Sequence, residues 1–256
     1  MTLKSVVMVS TLVGLALGAG MPVRAGAKKA GRPYKCGEKL TRVIKLYDRG
    51  KYNRAQSILS ETKFECSGHQ AMDSIIYYLG MTYLRGKRPR DARVEFQELI
   101  RDFPRSAFHE EAAFRIGQCS MMASESYERD QTETRDAIRE FNDFLVANPQ
   151  SPFADSAEVY LKQCREKLAK KKFMNARFYE KIDQYEAAVI YYRSLLEEFP
   201  NTSFVPEAKL NMARDLLRLE RLSEAGELVD EILAEEGNDE IRERAHNLRD
   251  RIRQME

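Results

Sequence analysis

FPRSAFHEEA (103–112), NPQSPFADSA (148–157) and FPNTSFVPEA (199–208) are one phrase written three times. Aligned, they place Pro104, Pro149 and Pro200 first, then Ser106, Ser151 and Thr202, then Phe108, Phe153 and Phe204, and last Ala112, Ala157 and Ala208. A proline cannot continue the helix before it. A serine or threonine is expected to N-cap the helix after it, with Pro152 at the first helical position. Glu110, Asp155 and Glu207 then fall in the first turn, at the positive end of the helix dipole. The phrase therefore reads as helix stop, tight turn, helix start. Its recurrence predicts an array of helical hairpins.

Working outward, helical spacing fills the array. Leu40, Val43, Ile44 and Tyr47, then Tyr52, Ala55, Ile58 and Leu59 after Gly50, make a first hairpin over roughly 36–49 and 53–65. In the second unit Leu79-Gly80-x-x-Tyr83 lies on one helix and Ala92-x-x-x-Phe96-x-x-Leu99 on the next, closed by Pro104. This is similar to the tetratricopeptide pattern, where small residues sit at a helix crossing and large ones fill the groove. The third unit repeats the step at Ile116-Gly117 and at Ala137, Phe141 and Phe144, with an insertion from Ser124 to Thr134. The fourth reads as one unbroken helix over 152–181, followed by Tyr185, Ala188, Tyr192 and Leu195. Leu210, Ala213, Leu216 and Leu217, then Leu222, Ala225, Val229 and Ile232, make the fifth, ended by Gly237-Asn238. The fold class expected is all-α, about five tetratricopeptide-like hairpins in an α-solenoid spanning 36–237, with 238–256 as a charged capping helix.

The phrase spacing also marks departures. Pro104 to Pro149 is 45 residues and Pro149 to Pro200 is 51, against about 34 for a plain repeat. The surplus falls in the 124–134 insertion and the long helix.

Bulk properties narrow the function. The chain has 256 residues, 43% apolar and 32% charged, a composition suited to a helical fold. Residues 1–27 hold Lys4 and Arg24 and no acid, so the remainder balances 40 bases against 40 acids. No global basic field favours nucleic acid, and none is expected as a partner. Lys4, the apolar run Val6 to Gly20 and Ala25-Gly26-Ala27 read as a cleavable export signal over 1–27. A membrane anchor is the competing reading, and the run is short for it, since about 20 residues are needed to span. Residues 28–35 read as a mobile leader.

Export permits disulfides. Cys36 near the start of the first helix and Cys66 near the end of the second meet in an antiparallel hairpin, so a Cys36–Cys66 bridge is expected. Cys119 and Cys164 each lie 15 residues after a phrase proline, 119 − 104 and 164 − 149. Successive helices pack about 8–10 Å apart, too far for a bridge, and both are read as small buried thiols.

No catalytic constellation is visible. His69, His109 and His246 are scattered over different units, and the C-x-x-C, H-E-x-x-H, phosphate-loop and G-x-S-x-G motifs are absent from the sequence. The expectation is a non-enzymatic protein without cofactor or metal. Binding would use the inner face of the array. Projecting the repeat register gives an apolar, Met-rich lining in the second and third units, Tyr77, Met81, Leu84, Phe114, Gln118, Met121 and Met122. Methionine suits varied partners. The fourth and fifth units instead give Phe173 with the basic set Arg177, Lys181, Arg214 and Arg218.

ERDQTETRDAIREFNDFLVANPQSPFADSA (128–157) and KLAKKKFMNARFYEKIDQYEAAVIYYRSLLEEFPNT (167–202) resemble the BamD family, the outer-membrane lipoproteins of the β-barrel assembly machine. The Arg129-Asp130-Gln131 insertion and the Ala176 to Tyr179 step carry the likeness, which covers roughly 38–235. The resemblance implies a periplasmic scaffold on the inner face of the outer membrane. Its C-terminal repeats would dock the periplasmic domains of the barrel assembly protein alongside other subunits, through Arg177, Lys181, Arg214 and Arg218. Its N-terminal repeats would receive unfolded outer-membrane proteins, through Tyr77, Met81, Phe114, Gln118, Met121 and Met122. One departure stands out. The family carries a lipid on a Cys directly after the signal, whereas Met21 follows Leu17-Gly18-Ala19-Gly20 here. Attachment through partners rather than lipid is expected. The competing readings are another periplasmic repeat adaptor, serving envelope division or secretin assembly, and an enzyme domain hidden in the array.

Overall fold

The computed structural model describes residues 35–235 and 239–255. The expected export signal, all of the leader except Lys35, and the Gly237-Asn238 stop lie outside the described residues. Five helical hairpins follow one another: α1 (Cys36–Asp48) with α2 (Tyr52–Glu65), α3 (Met72–Arg85) with α4 (Pro89–Asp102), α5 (His109–Ala123) with α6 (Thr132–Ala147), α7 (Ala154–Lys181) with α8 (Tyr185–Glu198), and α9 (Val205–Arg218) with α10 (Leu222–Ala234). A last helix, α11 (Asp239–Met255), covers the end of the stack. Its apolar stripe Ile241, Ala245, Leu248 and Ile252 is buried against the fifth hairpin while the rest of its surface stays charged. Among the described residues there is no strand. The fold is an all-α tetratricopeptide-like solenoid.

The second and third hairpins each close at a crossing that admits only a small residue. A β-carbon on Gly80 would stand 2.7 Å from Phe96 Cε1, and one on Gly117 would stand 2.7 Å from Phe141 Cε1. The ring fills the space that the glycine leaves, so the Leu-Gly and Ile-Gly steps are packing requirements. Four of the five hairpins turn in the same way. Gly50, Lys87, Asp183 and Glu220 take positive φ, and the next residue's N–H returns to the helix, for example Arg88 to the Tyr83 carbonyl at 2.9 Å and Gln184 to Tyr179 at 3.0 Å. This is a left-handed helix stop. The third hairpin has the inserted loop instead.

The phrase works differently from its expected capping role. Ser106, Ser151 and Thr202 are not the N-caps, for Phe108, Phe153 and Phe204 hold those positions. The hydroxyls act one turn earlier. The Phe108 N–H donates to Ser106 Oγ and the Phe153 N–H to Ser151 Oγ, both at 3.1 Å. Pro152 lies in that lead-in turn, before α7 starts. The serines also tie units together. Ser106 Oγ donates to Asp73 at 2.8 Å, and Ser151 donates to Glu110. In the third copy Ser203 takes over, donating to Glu166 at 2.8 Å.

Among the described residues the core falls into three clusters. One spans α1 to α5, a second joins α5, α6 and the first half of α7, and the third runs from the second half of α7 to α11. The 28-residue α7 crosses from the second into the third. Ala157, Leu161 and Cys164 enter one core, and Leu168, Ala169 and Ala176 the next. The two surplus segments of sequence touch each other. Lys167 Nζ donates to Ser124 Oγ at 2.7 Å, Lys171 Nζ to the Arg129 carbonyl, and the Lys170 ammonium lies 4.5 Å from the centre of the Tyr127 ring. Gln131, 1% exposed, fixes the loop from inside. Its Nε2 donates to the carbonyls of Ser126, Arg129 and Asp130, and its Oε1 accepts from Thr134.

At the other end, Cys36 and Cys66 form a disulfide across the first hairpin. Cys119 and Cys164 are buried free thiols. Burial pushes Cys119 up to about 12 and Cys164 up to about 11, so neither is a ready nucleophile.

Candidate docking site

Most of the residues read as an apolar inner lining are core. Tyr77, Met81, Leu84 and Phe114 are buried, at 7, 5, 7 and 3% exposure. The cause lies in the phrase. Its phenylalanines pack under an aromatic of the preceding unit: Phe108 stacks on Tyr77 at 4.2 Å, Phe153 stacks on Phe114 at 5.0 Å, and Phe204 tilts against Phe173 at 5.4 Å. Positions facing a groove in an isolated hairpin are filled by the next hairpin. Gln118 is half-buried between Arg115 and Tyr160, and Met121 packs against the second cluster. Met122 alone of the set is exposed, at 48%.

The basic set behaves otherwise. Arg177, Arg214 and Arg218 converge on two sunken carboxylates. Arg177 Nε lies 3.2 Å from Glu180 Oε2, and Arg214 Nη2 lies 3.6 Å from Glu180 Oε1. Arg218 Nη1 lies 3.5 Å from Asp215 Oδ1, with its guanidinium 4.6 Å from the centre of the Tyr185 ring. Lys181 is exposed one turn beyond Arg177. The Glu180 side chain is 9% exposed and that of Asp215 0%, while the arginines above them are 40, 32 and 45% exposed. The acids are beneath and the cations above, so the surface presented is positive.

Below this surface the polar groups are incompletely satisfied. Tyr192 Oη donates to Glu180 Oε1 at 2.8 Å, and Arg214 Nη2 donates to Asn211 Oδ1. Asn211 Nδ2, Arg214 Nε and Asp215 Oδ2 have no hydrogen-bond partner among the described residues. Such orphans cost stability. Burial first, then the Glu180 charge, push Asp215 up to about 7, and Arg214 and Arg218 pull against that rise. Burial and Glu180 also raise the Tyr192 hydroxyl well above its usual range. Beside the cations runs an apolar stripe, Met174, Phe178 and Ile182, at 40, 56 and 48% exposure. At 100° per residue it occupies the arc next to Arg177 and Lys181. The site thus offers cations and exposed apolar side chains on one side of α7.

Sequence reasoning does not single out Glu180, Asn211 or Asp215. The available signal is Asn211 and Asp215, four apart inside the apolar run LNMARDLLRL (210–219). Among the described residues no group of three or more His, Cys, Asp or Glu could hold a metal ion. None of the described helices is long and apolar enough to cross a membrane.

Comparison with known proteins places these features. The family described as outer membrane lipoprotein (YfiO) matches residues 38–225. A curated relative, the outer membrane protein assembly factor BamD of Caulobacter vibrioides, is 23% identical over 172 residues, 67% of this chain and 56% of that protein. The match thus spans little more than half of the relative's length. Among solved structures, a thermophilic TPR protein of Thermus thermophilus is 18% identical, covering 83% of this chain and 98% of its own, with a TM-score of 0.37. A tetratricopeptide repeat protein from Parabacteroides merdae is 13% identical, covering 86% of each chain, with a TM-score of 0.39. At those scores the fold assignment rests on the hairpins themselves.

Proposed function

The chain belongs to the outer membrane lipoprotein family YfiO, and from that membership we propose that it is a non-enzymatic periplasmic scaffold of the outer-membrane β-barrel assembly complex. It binds the periplasmic domains of the barrel assembly protein at the inner face of the outer membrane, and attachment comes through those partners. The observation that carries the docking assignment is the convergence of Arg177 and Arg214 on Glu180, with Arg218 on Asp215. Five ordered groups on two helices make a rigid cationic surface, and the neighbouring Met174, Phe178 and Ile182 supply apolar area. A matching partner surface has carboxylates beside an apolar ridge. The name of the Caulobacter relative, an assembly factor, supports the same reading.

For unfolded outer-membrane proteins, we place contact at Met122, with the half-buried Gln118 and Met121 beside it, rather than on the buried Tyr77, Met81 and Phe114. The Cys36 sulfur is taken up by Cys66, in keeping with attachment by partners.

Affinity purification from intact envelopes tests the reading. The full chain is expected to bring down a barrel protein with repeated periplasmic domains. Reversing Arg177, Arg214 and Arg218 together to Glu is expected to remove it while the helical signal persists. An unchanged pull-down would overturn the docking face. Recovery of division or secretin components instead would favour the adaptor reading.

A further inference from the structure

At the far end of the array from the docking site lies a cavity of about 490 Å³ between the turns of the first two hairpins. Its walls carry Lys51, Arg54, Arg85 and Lys87, together with Tyr52 and Asn53, and no acid. Lys51, Arg54 and Lys87 make no ion pair among the described residues, and Arg85 Nε donates to Tyr47 Oη at 3.4 Å. Four cations facing one space repel one another, and nothing on the walls offsets them. The start of α2 adds to the positive potential, since its first turn has no acid and its N-cap residue, Lys51, makes no side-chain capping bond.

Arg49-Gly50-Lys51 and Arg85-Gly86-Lys87 repeat one tripeptide, one step out of structural register, because Gly50 and Lys87 are the residues that share the positive-φ position. In the fourth and fifth hairpins that position holds Asp183 and Glu220. At the aligned position the second hairpin thus carries a cation, whereas the fourth and fifth carry acids.

We propose that this pocket binds the phosphate of an anionic phospholipid headgroup, so that the first two turns rest on a membrane surface. Guanidinium and ammonium groups are the usual partners of phosphate oxygens. The cationic surface is wider than one free ion needs. Exposed Arg49 continues it beyond the cavity, which matches a plane of headgroups. This inference is independent of the docking site.

The test is sedimentation of the full chain with vesicles of phosphatidylcholine, with and without phosphatidylglycerol. Partition is expected only onto the anionic vesicles. Each neutralised cation is expected to lower it about fivefold, from about 1 kcal/mol per basic residue. Lys87→Gly is the sharpest variant, because glycine suits the positive φ and the fold gains while a charge is lost. Lys51→Gln, Arg54→Gln, Arg85→Gln and Lys87→Gly combined are expected to reduce partition by more than about a hundredfold. Lys162→Gln with Arg165→Gln, elsewhere on the surface, is expected to leave it unchanged. Equal partition of the fourfold variant and the parent would overturn the proposal, as would an equal loss in the Lys162 and Arg165 variant. Calorimetric binding of inorganic phosphate without vesicle partition, or tighter binding of a single-stranded oligonucleotide than of vesicles, would overturn the lipid assignment.

Discussion

Glu180 Oε1 lies 3.6 Å from Arg214 Nη2, so one carboxylate ties the end of α7 to the middle of α9. The same carboxylate holds Arg177 and accepts from Tyr192. Glu180→Gln keeps the shape and the Tyr192 bond but leaves two arginines without their counter-charge. It is expected to destabilise the fold by about 1–3 kcal/mol and to weaken partner capture although every cation remains. An unchanged denaturant midpoint together with unchanged capture would refute the positioning role.

Asp215 sets a pH dependence. Its folded pKa, about 7, is above the ordinary unfolded value near 3.9. The native state therefore holds an extra proton between those values, and stability falls as pH rises through that window. The benefit is complete below about pH 4 and lost above about pH 7. Asp215→Asn is expected to abolish this slope and to stabilise the protein by about 1–3 kcal/mol at pH 8. Urea titrations at pH 5 and pH 8 measure it; a variant with the parent's slope would count against it.

Gly80→Ala and Gly117→Ala improve local helix propensity by about 1 kcal/mol but drive a methyl into Phe96 and Phe141. Overpacking of this kind costs about 1–3 kcal/mol, and closing contacts at 2.7 Å put both variants in net loss. The crossings lie in different clusters, so the double variant is expected to be additive. Thermal unfolding of the singles and the double decides it.

Gln131→Ala strips three carbonyls of their shared donor. A loss of about 1–3 kcal/mol is expected, seen first as faster amide exchange and proteolysis across 124–131 with the α7 core still protected. Unaltered exchange in the loop would show that the lysines of α7 hold it alone.

Reduction of Cys36–Cys66, separated by 30 residues, is expected to cost about 3–4 kcal/mol by the chain-entropy relation. The loss belongs to the first hairpin, which among the described residues has a neighbour on one side only. Mass spectrometry of the unreduced chain is expected to find the Cys36 and Cys66 peptides linked, with no acyl group on Cys36.

The second and third hairpins were legible because each crossing writes itself as a glycine against a ring, at Gly80 and Phe96 and again at Gly117 and Phe141. The lining was harder. Tyr77 and Phe114 have the spacing of a groove-facing residue, and that spacing equally faces the following hairpin. What decides is the phrase phenylalanine, which needs a ring to pack on. Glu180 and Asp215 were invisible for another reason. Each is one acid among many, and only tertiary burial separates them from solvated neighbours.

The unbroken α7 has a mechanical meaning. At about 1.5 Å per residue its 28 residues make a rod of about 42 Å. Between Cys164 and Leu168 it leaves one core and enters the next without a turn where the chain could hinge. The lysine-strapped loop stiffens that passage from outside. A torque on the cationic end is therefore delivered to the third hairpin as rotation of one shaft, and the two halves of the array report each other's orientation.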